Sequence, residues 1–210
     1  MKFIVKKAIL LHCEYILGDE FLEINTSRED IALRGKRGLH FILASIIIWC
    51  SIFIIWLLPI NDIATRNFLT FCFTAVLLPL AFLISKLIKA EFSTKDNPLN
   101  NLGIIFSCNQ ILYILIAIWI YQAVPEKLVM ILAIIFGAHL LPFGWLYKSK
   151  AYFVMAIIVS LTSLIIGVNF SPIILALIMM LLEIVFSIWL YFEIKMLHSR
   201  VAVVQQGYQK

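Results

Sequence analysis

Six runs of apolar residues, each about as long as a membrane-spanning helix, constrain this chain more than any other feature. A helix rises about 1.5 Å per residue, so such runs cross roughly 30 Å of hydrocarbon, or nearly so. Lipid offers no partner for an unpaired backbone amide, and the runs lack the alternation of barrel strands, so helices are expected. The predicted spans are residues 41–58, 68–87, 102–124, 128–147, 152–168 and 173–192.

The composition excludes the usual soluble classes. Of 210 residues, 63% are hydrophobic and 14% are charged, whereas soluble domains have about 45–50% apolar and about 25% charged residues. The basic residues are scattered at the ends of apolar runs, so no nucleic-acid partner is expected. Because Cys50, Cys72 and Cys108 lie inside apolar runs and only Cys13 does not, a disulfide scaffold is excluded. The predicted fold class is an all-α polytopic membrane protein with six transmembrane helices in the lipid bilayer.

The distribution of Lys and Arg predicts the orientation of the spans. Counted by alternating loops, fifteen of them fall in the two tails, the second loop and the fourth loop. The opposite side carries only Arg66 and Lys127. Positive charge accumulates on the cytoplasmic side, so both termini are predicted to be cytoplasmic. The predicted domains are an N-terminal tail (1–38), a transmembrane domain (39–193) and a C-terminal tail (194–210).

The N-terminal tail has two further predicted features. No small-residue cleavage site follows its short apolar stretch, so it is not typical of a signal peptide. The segment 26–30 resembles a helix start, with Asn25, Thr26 or Ser27 as the cap and Glu29 and Asp30 in the first turn. We expect a short amphipathic helix on the cytoplasmic face here.

Residues 1–21 raise a separate hypothesis, that they are a start-site artefact. Codons for the Leu17-Gly18-Asp19 stretch can spell a ribosome-binding sequence a short distance before Leu22. Leu22 would then be encoded by a non-AUG start codon. The coding DNA tests this hypothesis, because a Leu22 codon unable to initiate would exclude it.

Polar and helix-breaking residues inside the spans are the candidates for function, since intramembrane charge is a pointer to it. Counted from the predicted cytoplasmic ends, many fall roughly 10–15 Å deep. These residues are Trp49, Pro79, Asn109, Gln110, His139, Ser160 and Glu183. We predict a ligand- or ion-binding site at this level, with Glu183 as the protonatable or cation-binding group and His139, Asn109 and Gln110 as neighbours. Pro79 and Pro142 are predicted to kink their helices.

A purely structural interpretation of these residues stays open. An ionisable residue in mid-span costs about 2.5–3.5 kcal/mol of insertion free energy, and each Leu, Ile, Phe or Val returns about 0.3–0.6. The sixth span has thirteen such apolar residues, so its insertion does not require a function for Glu183. Its carboxyl would then accept hydrogen bonds from Trp49, His139 or Gln110 and hold helices together.

Catalytic motifs are missing from the sequence. It has no H-E-x-x-H, no Cys/His metal spacing, no glycine-rich phosphate loop and no G-x-S-x-G. With a single deep carboxylate, the paired acid–base arrangement of a hydrolase is also missing. We therefore expect no enzyme, no catalytic residue, no metal and no cofactor.

Four further stretches of the sequence are 38–45 (GLHFILAS), 77–82 (LLPLAF), 97–103 (NPLNNLG) and 137–142 (GAHLLP). With them, about residues 34–152 resemble an uncharacterised family of small bacterial integral-membrane proteins with no established activity. It implies a bacterial plasma-membrane setting and transfers no catalytic residues.

Two functions are compatible with these observations. The first is transport or permeation of a small solute or ion through a polar site around Glu183. The second is a non-catalytic regulatory or accessory subunit whose intramembrane polar residues are structural. A homo-oligomer or a partner membrane protein fits either one, and the sequence predicts no interface.

Overall fold

The computed structural model describes residues 22–207, apart from the side chains at 202 and 204–207. Its helices are α1 (22–34), α2 (Leu39–Leu57), α3 (Ile63–Ala75), α4 (Leu77–Leu87), α5 (Asn100–Ala123), α6 (Leu128–Leu146), α7 (Lys150–Asn169) and α8 (Pro172–Gly207). Short 3-10 turns, Lys36–Gly38 and Pro125–Lys127, precede α2 and α6. The described residues contain no strand, so the all-α prediction is confirmed.

Six segments are long and apolar enough to cross a membrane. They are Lys36–Leu57, Ile63–Leu87, Asn100–Ala123, Pro125–Leu146, Lys150–Asn169 and Pro172–Val201. The predicted number of spans is therefore confirmed. The sixth segment differs most, because α8 continues without a break to Gly207 and residues 193–207 prolong a helix that was expected to end near 192. Residues 1–21, and the start-site hypothesis about them, lie outside the described residues.

The packing of α2 against α8 forms the centre of the bundle. On α8 the buried stripe is spaced alternately by four and three residues, and it consists of Met179, Glu183, Phe186, Leu190 and Glu193. On α2 the matching stripe is Ile42, Ser45, Trp49, Ile52 and Trp56. This spacing is typical of helices that pack at a shallow crossing angle. Two acidic residues of α8 thereby face the interior of the bundle.

The other helices surround this pair. α3 and α4 contact α2, α7 contacts α8, and α6 and α7 form the most extensive helix pair. α5 packs mainly against α6 at the edge of the bundle. The second span is divided at Val76, three residues before Pro79, because proline has no amide to donate to the carbonyl of Ala75. α6 continues through Pro142 without interruption.

Every second connection between spans lies at the same end of the bundle. At one end, the Asn67 side-chain amide donates to the Pro125 carbonyl at 2.8 Å, and the Tyr121 hydroxyl donates to the Ala64 carbonyl at 3.0 Å. The other end is formed by residues 22–38, the connection 88–99 and residues 147–150, and we call it the basic end. The residues grouped at each end are those expected from six alternating spans.

α1 lies across the basic end and begins earlier than the sequence predicts. It buries Ile31 and Ala32, and its Arg28 Nε donates to the Trp145 carbonyl at 2.9 Å. The predicted cap is wrong: the Thr26 hydroxyl donates to the Leu22 carbonyl at 2.8 Å, so residues 25–27 lie within the helix. Such back-bonding to the preceding turn competes with capping for serine and threonine hydroxyls.

Gly137→Ala tests the close contact of α6 with α7. A Cβ at Gly137 would lie 2.6 Å from Ser160 Oγ and 2.9 Å from the Ser160 backbone nitrogen. Because backbone cannot rotate away, we expect a loss of about 1–3 kcal/mol in unfolding free energy, measured by thermal or denaturant unfolding in detergent. In Gly103→Ala the new Cβ would meet only the flexible end of Leu146 at 3.3 Å. That variant gains the same helix propensity and should stay near wild type, and equal losses in both would contradict the packing.

Candidate functional site

Glu183 is enclosed between α8 and α2. Its exposed fraction is 0%, and its Oε2 lies 2.7 Å from the hydroxyl of Ser45. The same hydroxyl lies 2.7 Å from the Ile42 carbonyl. A serine hydroxyl has one proton to donate and two lone pairs to accept with. A carboxylate therefore accepts the proton of Ser45, whereas a carboxylic acid donates to Ser45 while Ser45 donates to Ile42, and the heavy atoms need not move.

One oxygen of this carboxyl has no protein partner. Among the described residues, no hydrogen-bond donor reaches Oε1 of Glu183, and no cationic side chain forms an ion pair with the carboxyl. Its neighbours along the stripe are the fully buried side chains of Met179 and Phe186. An uncompensated charge in such surroundings costs several kcal/mol. A proton on this carboxyl would remove that cost.

The other predicted ligands do not bond to Glu183. His139 is half-buried, and its ring packs edge-on against the ring of Phe143 with 5.1 Å between the ring centroids. Asn109 is exposed on α5 and donates to the Tyr113 hydroxyl at 2.9 Å, and Gln110 is half-buried beside it. In the described chain the only hydrogen-bond partner of Glu183 is Ser45. The sequence analysis had expected Trp49, His139 or Gln110 in that position. A role for His139, Asn109 and Gln110 as ligands stays a prediction.

A second buried carboxyl, which the sequence analysis missed, lies at the basic end. Glu193 Oε2 accepts hydrogen bonds from Arg37 Nη1 and from Ser149 Oγ, the latter at 2.6 Å. Its Oε1 accepts from the Ala151 backbone amide at 3.1 Å. The Tyr152 hydroxyl donates to the Arg37 carbonyl at 2.9 Å. We call these five residues the basic-end network, and it joins the turn before α2 to the start of α7 and to α8.

The sequence did contain a signal for Glu193. The spacing of Glu183, Phe186, Leu190 and Glu193 continues one helical stripe, but the predicted span ended at residue 192 and left Glu193 just outside it, as the last residue of the predicted transmembrane domain. Arg37 was counted only as a tail charge. Charges beside a membrane interface are ordinarily solvated, and exposed pairs contribute little. The burial of Arg37 and Glu193, each 8% exposed, therefore depends on the tertiary structure.

The basic-end network contacts the same stripe of α8 that carries Glu183. The Tyr152 ring packs edge-on against Phe186 with 4.9 Å between ring centroids, and Phe186 is one turn from Glu183. Glu193 follows Glu183 by ten residues, which is about 15 Å along a helix. The Tyr152 side chain therefore contacts both the Arg37 carbonyl and the Phe186 ring, which is one turn from Glu183.

The contacts of the network hold Arg37 in a strained backbone conformation. Lys36, Arg37 and Gly38 all have positive φ, at 47°, 49° and 68°. For residues other than glycine this conformation costs roughly 1–2 kcal/mol each, so the surrounding contacts must compensate. A Cβ at Gly38 would lie 2.9 Å from the Tyr152 hydroxyl oxygen, so that position requires glycine on two grounds.

An ionic cluster on the surface links α1 to the connection 88–99. Arg34 pairs with Asp30, Glu91 and Asp96 at 3.3, 2.8 and 2.7 Å. Hydrogen bonds to Asp96 and then to Glu91 raise the pKa of the Arg34 guanidinium. Hydrogen bonds from Arg34 lower the pKa of the Asp96 carboxyl below its ordinary 3.8. Both side chains keep contact with water, so this cluster differs from the buried pair at Glu193.

Comparison with known proteins gives one match. A model for a family of unknown function, DUF7010, matches residues 24–193, which include most of α1, five complete spans and most of the sixth. The expected relation to an uncharacterised family is confirmed. No curated protein and no solved structure matches the chain. Among residues 22–207 no group of three or more His, Cys, Asp or Glu side chains is placed to hold a metal ion.

Arg37→Met tests the buried ion pair. It leaves the carboxyl of Glu193 buried without its cation, and removing one partner of such a pair costs about 3–5 kcal/mol of unfolding free energy. The double variant Arg37→Met/Glu193→Leu should recover most of that loss. The matched control is Arg34→Met, which removes an exposed cation and should cost much less. Denaturant unfolding in detergent measures all three, and equal losses for the two single variants would contradict the assignment.

Proposed function

The chain belongs to the family of unknown function DUF7010, and we propose from its own geometry that it is a small transport or permeation protein. Its site is the carboxyl of Glu183, and its substrate or coupling ion is a proton or a small cation. The observation that supports this most is a fully enclosed carboxyl with one unpartnered oxygen at the centre of the α2–α8 interface. The protein acts without enzymatic catalysis in this proposal.

The charge distribution supports a setting for this activity. Counted along the sequence by alternating loops, fifteen Lys and Arg residues belong to the tails and loops of the side that includes the basic end, against Arg66 and Lys127 for the other. By the positive-inside rule the basic end and both termini lie on the cytoplasmic side of the membrane. The membrane in this proposal is a bacterial plasma membrane. The cytoplasmic approach to Glu183 then passes the basic-end network.

The hydroxyl of Ser45 supports alternation between two forms of the site. In one form Glu183 is protonated and donates to Ser45, and in the other its carboxylate accepts from Ser45 while a cation sits at Oε1. Opening of the Arg37–Glu193 ion pair exposes the carboxyl to cytoplasmic water. A small rearrangement at the basic end thereby controls access to a site about 15 Å deeper.

A second candidate function is a non-catalytic regulatory or accessory subunit. The complete burial of Glu183 and its bond to Ser45 favour it, because a carboxyl that only joins two helices needs no access to water. Access to water therefore separates the two functions.

Glu183→Gln tests the transport proposal through ligand binding. We expect a proton or an alkali-metal cation, added as its chloride, to raise the unfolding free energy of the wild type by about 2.7 kcal/mol at a hundred times its dissociation constant. The same ligand should leave Glu183→Gln unaffected. Thermal unfolding in detergent across pH and cations measures this. The control is Ser163→Ala, which removes a buried hydroxyl 3.3 Å from Met179 Sδ in the α7–α8 interface and should keep the response.

A second measurement addresses access directly. With the native cysteines replaced by alanine, Ser45→Cys should react with a membrane-impermeant thiol reagent from the side on which Lys95→Cys reacts. If no cation or proton stabilises the wild type, if Glu183→Gln is equally stable and if Ser45→Cys stays unreactive, the site is dry. The accessory function would then replace the transport proposal.

A further inference from the structure

We propose that α5 is a dimerisation helix, which packs against α5 of a second copy of this chain about a two-fold axis. The contact is a strip of exposed residues on one face of α5. The strip consists of Ile105, Asn109, Leu112, Ile116 and Trp119, with one polar residue among four apolar ones. This inference is independent of what Glu183 binds.

α5 is the span least covered by its own bundle. Of the most apolar 18 residues of α5, 11% are buried, against 50% of the corresponding residues in the span that contains α2. The strip residues follow one another by four, three, four and three positions, so they share one face of the helix. Exposed fractions of 62% at Leu112 and 65% at Trp119 show that the bundle leaves this face open.

Asn109 distinguishes the strip from a surface that only meets lipid. It lies nine residues from the start of α5, near mid-span, and its Nδ2 donates within its own helix to Tyr113 at 2.9 Å. In the described part of the chain its carbonyl oxygen has no donor, and lipid tails supply none. An amide facing hydrocarbon without a partner is unfavourable.

The amide also indicates what covers the strip. It carries both a donor and an acceptor, so two copies related by a two-fold axis satisfy each other. A second copy necessarily brings the same amide to the same depth of the membrane. Side-chain amides hydrogen-bond across transmembrane helices in this way, and the flanking Leu112 and Ile105 provide the apolar packing.

Single cysteines compare the strip with its neighbouring face. In a variant with all four native cysteines replaced by alanine, Leu112→Cys lies in the strip and Ile111→Cys lies about 100° around the helix. The native residues are 62% and 61% exposed, so chance collision should be equal. After mild oxidation of native membranes, we expect a disulfide-linked dimer of the full chain at several-fold higher yield for Leu112→Cys.

Asn109→Leu tests the amide itself. We expect its dimer dissociation constant, measured by energy transfer between labelled copies in phosphatidylcholine vesicles, to rise about three- to tenfold. Asn169→Leu is the matched control, because Asn169 is an exposed asparagine that bonds within α7. Circular dichroism checks that each variant folds.

Three outcomes would overturn the proposal. They are equal cross-linking at the two cysteines, cross-linking of Leu112→Cys to a different polypeptide, and no energy transfer at any lipid dilution. An unchanged dissociation constant for Asn109→Leu would overturn the role of the amide.

Discussion

The contact between α2 and α8 organises the rest of this protein. Each helix turns one stripe of residues toward the other, and α8 carries two carboxyls on its stripe. Hydrocarbon and a dry protein interior both penalise isolated charge, so each carboxyl needs hydrogen-bond or ionic partners from the chain. Glu193 receives a guanidinium, a hydroxyl and a backbone amide, whereas Glu183 receives a single hydroxyl. Glu193 is therefore bonded at both of its oxygens, whereas one oxygen of Glu183 has no partner among the described residues.

The two carboxyls also differ in how the chain reaches them. Glu193 is satisfied at the basic end, where α2 begins after three residues with positive φ and α7 begins with its cap at Ser149. These helix starts bring polar groups together without exposing them to lipid. Glu183 lies where only helix interiors are available, and helix interiors offer no free backbone amides. Among the described residues a serine on α2 is therefore the one hydrogen-bond partner that Glu183 acquires.

Sequence patterns were sufficient for the spans and their alternation, because the bilayer imposes a length and a polarity on each helix. They were insufficient for the site. Ser45 is one turn from Trp49 on α2, and only the rotation of α2 against α8 decides which of the two meets Glu183. Asn109 and Gln110 are adjacent to each other in sequence and were expected beside Glu183, yet α5 packs mainly on α6 at the edge. Depth in the membrane is readable from residue counts, whereas the neighbours of a helix are not.

The sequence by itself determined that this is an all-α protein with six apolar helices and a single acidic residue deep within them. Hydropathy acts locally along each helix, so it needs no knowledge of the other helices. Only the tertiary structure decided that Glu183 bonds to Ser45, that Arg37 and Glu193 form a buried ion pair, and that one face of α5 stays uncovered. Those outcomes depend on which helices pack together and on how each is rotated, and apolar helices of similar composition do not specify that locally.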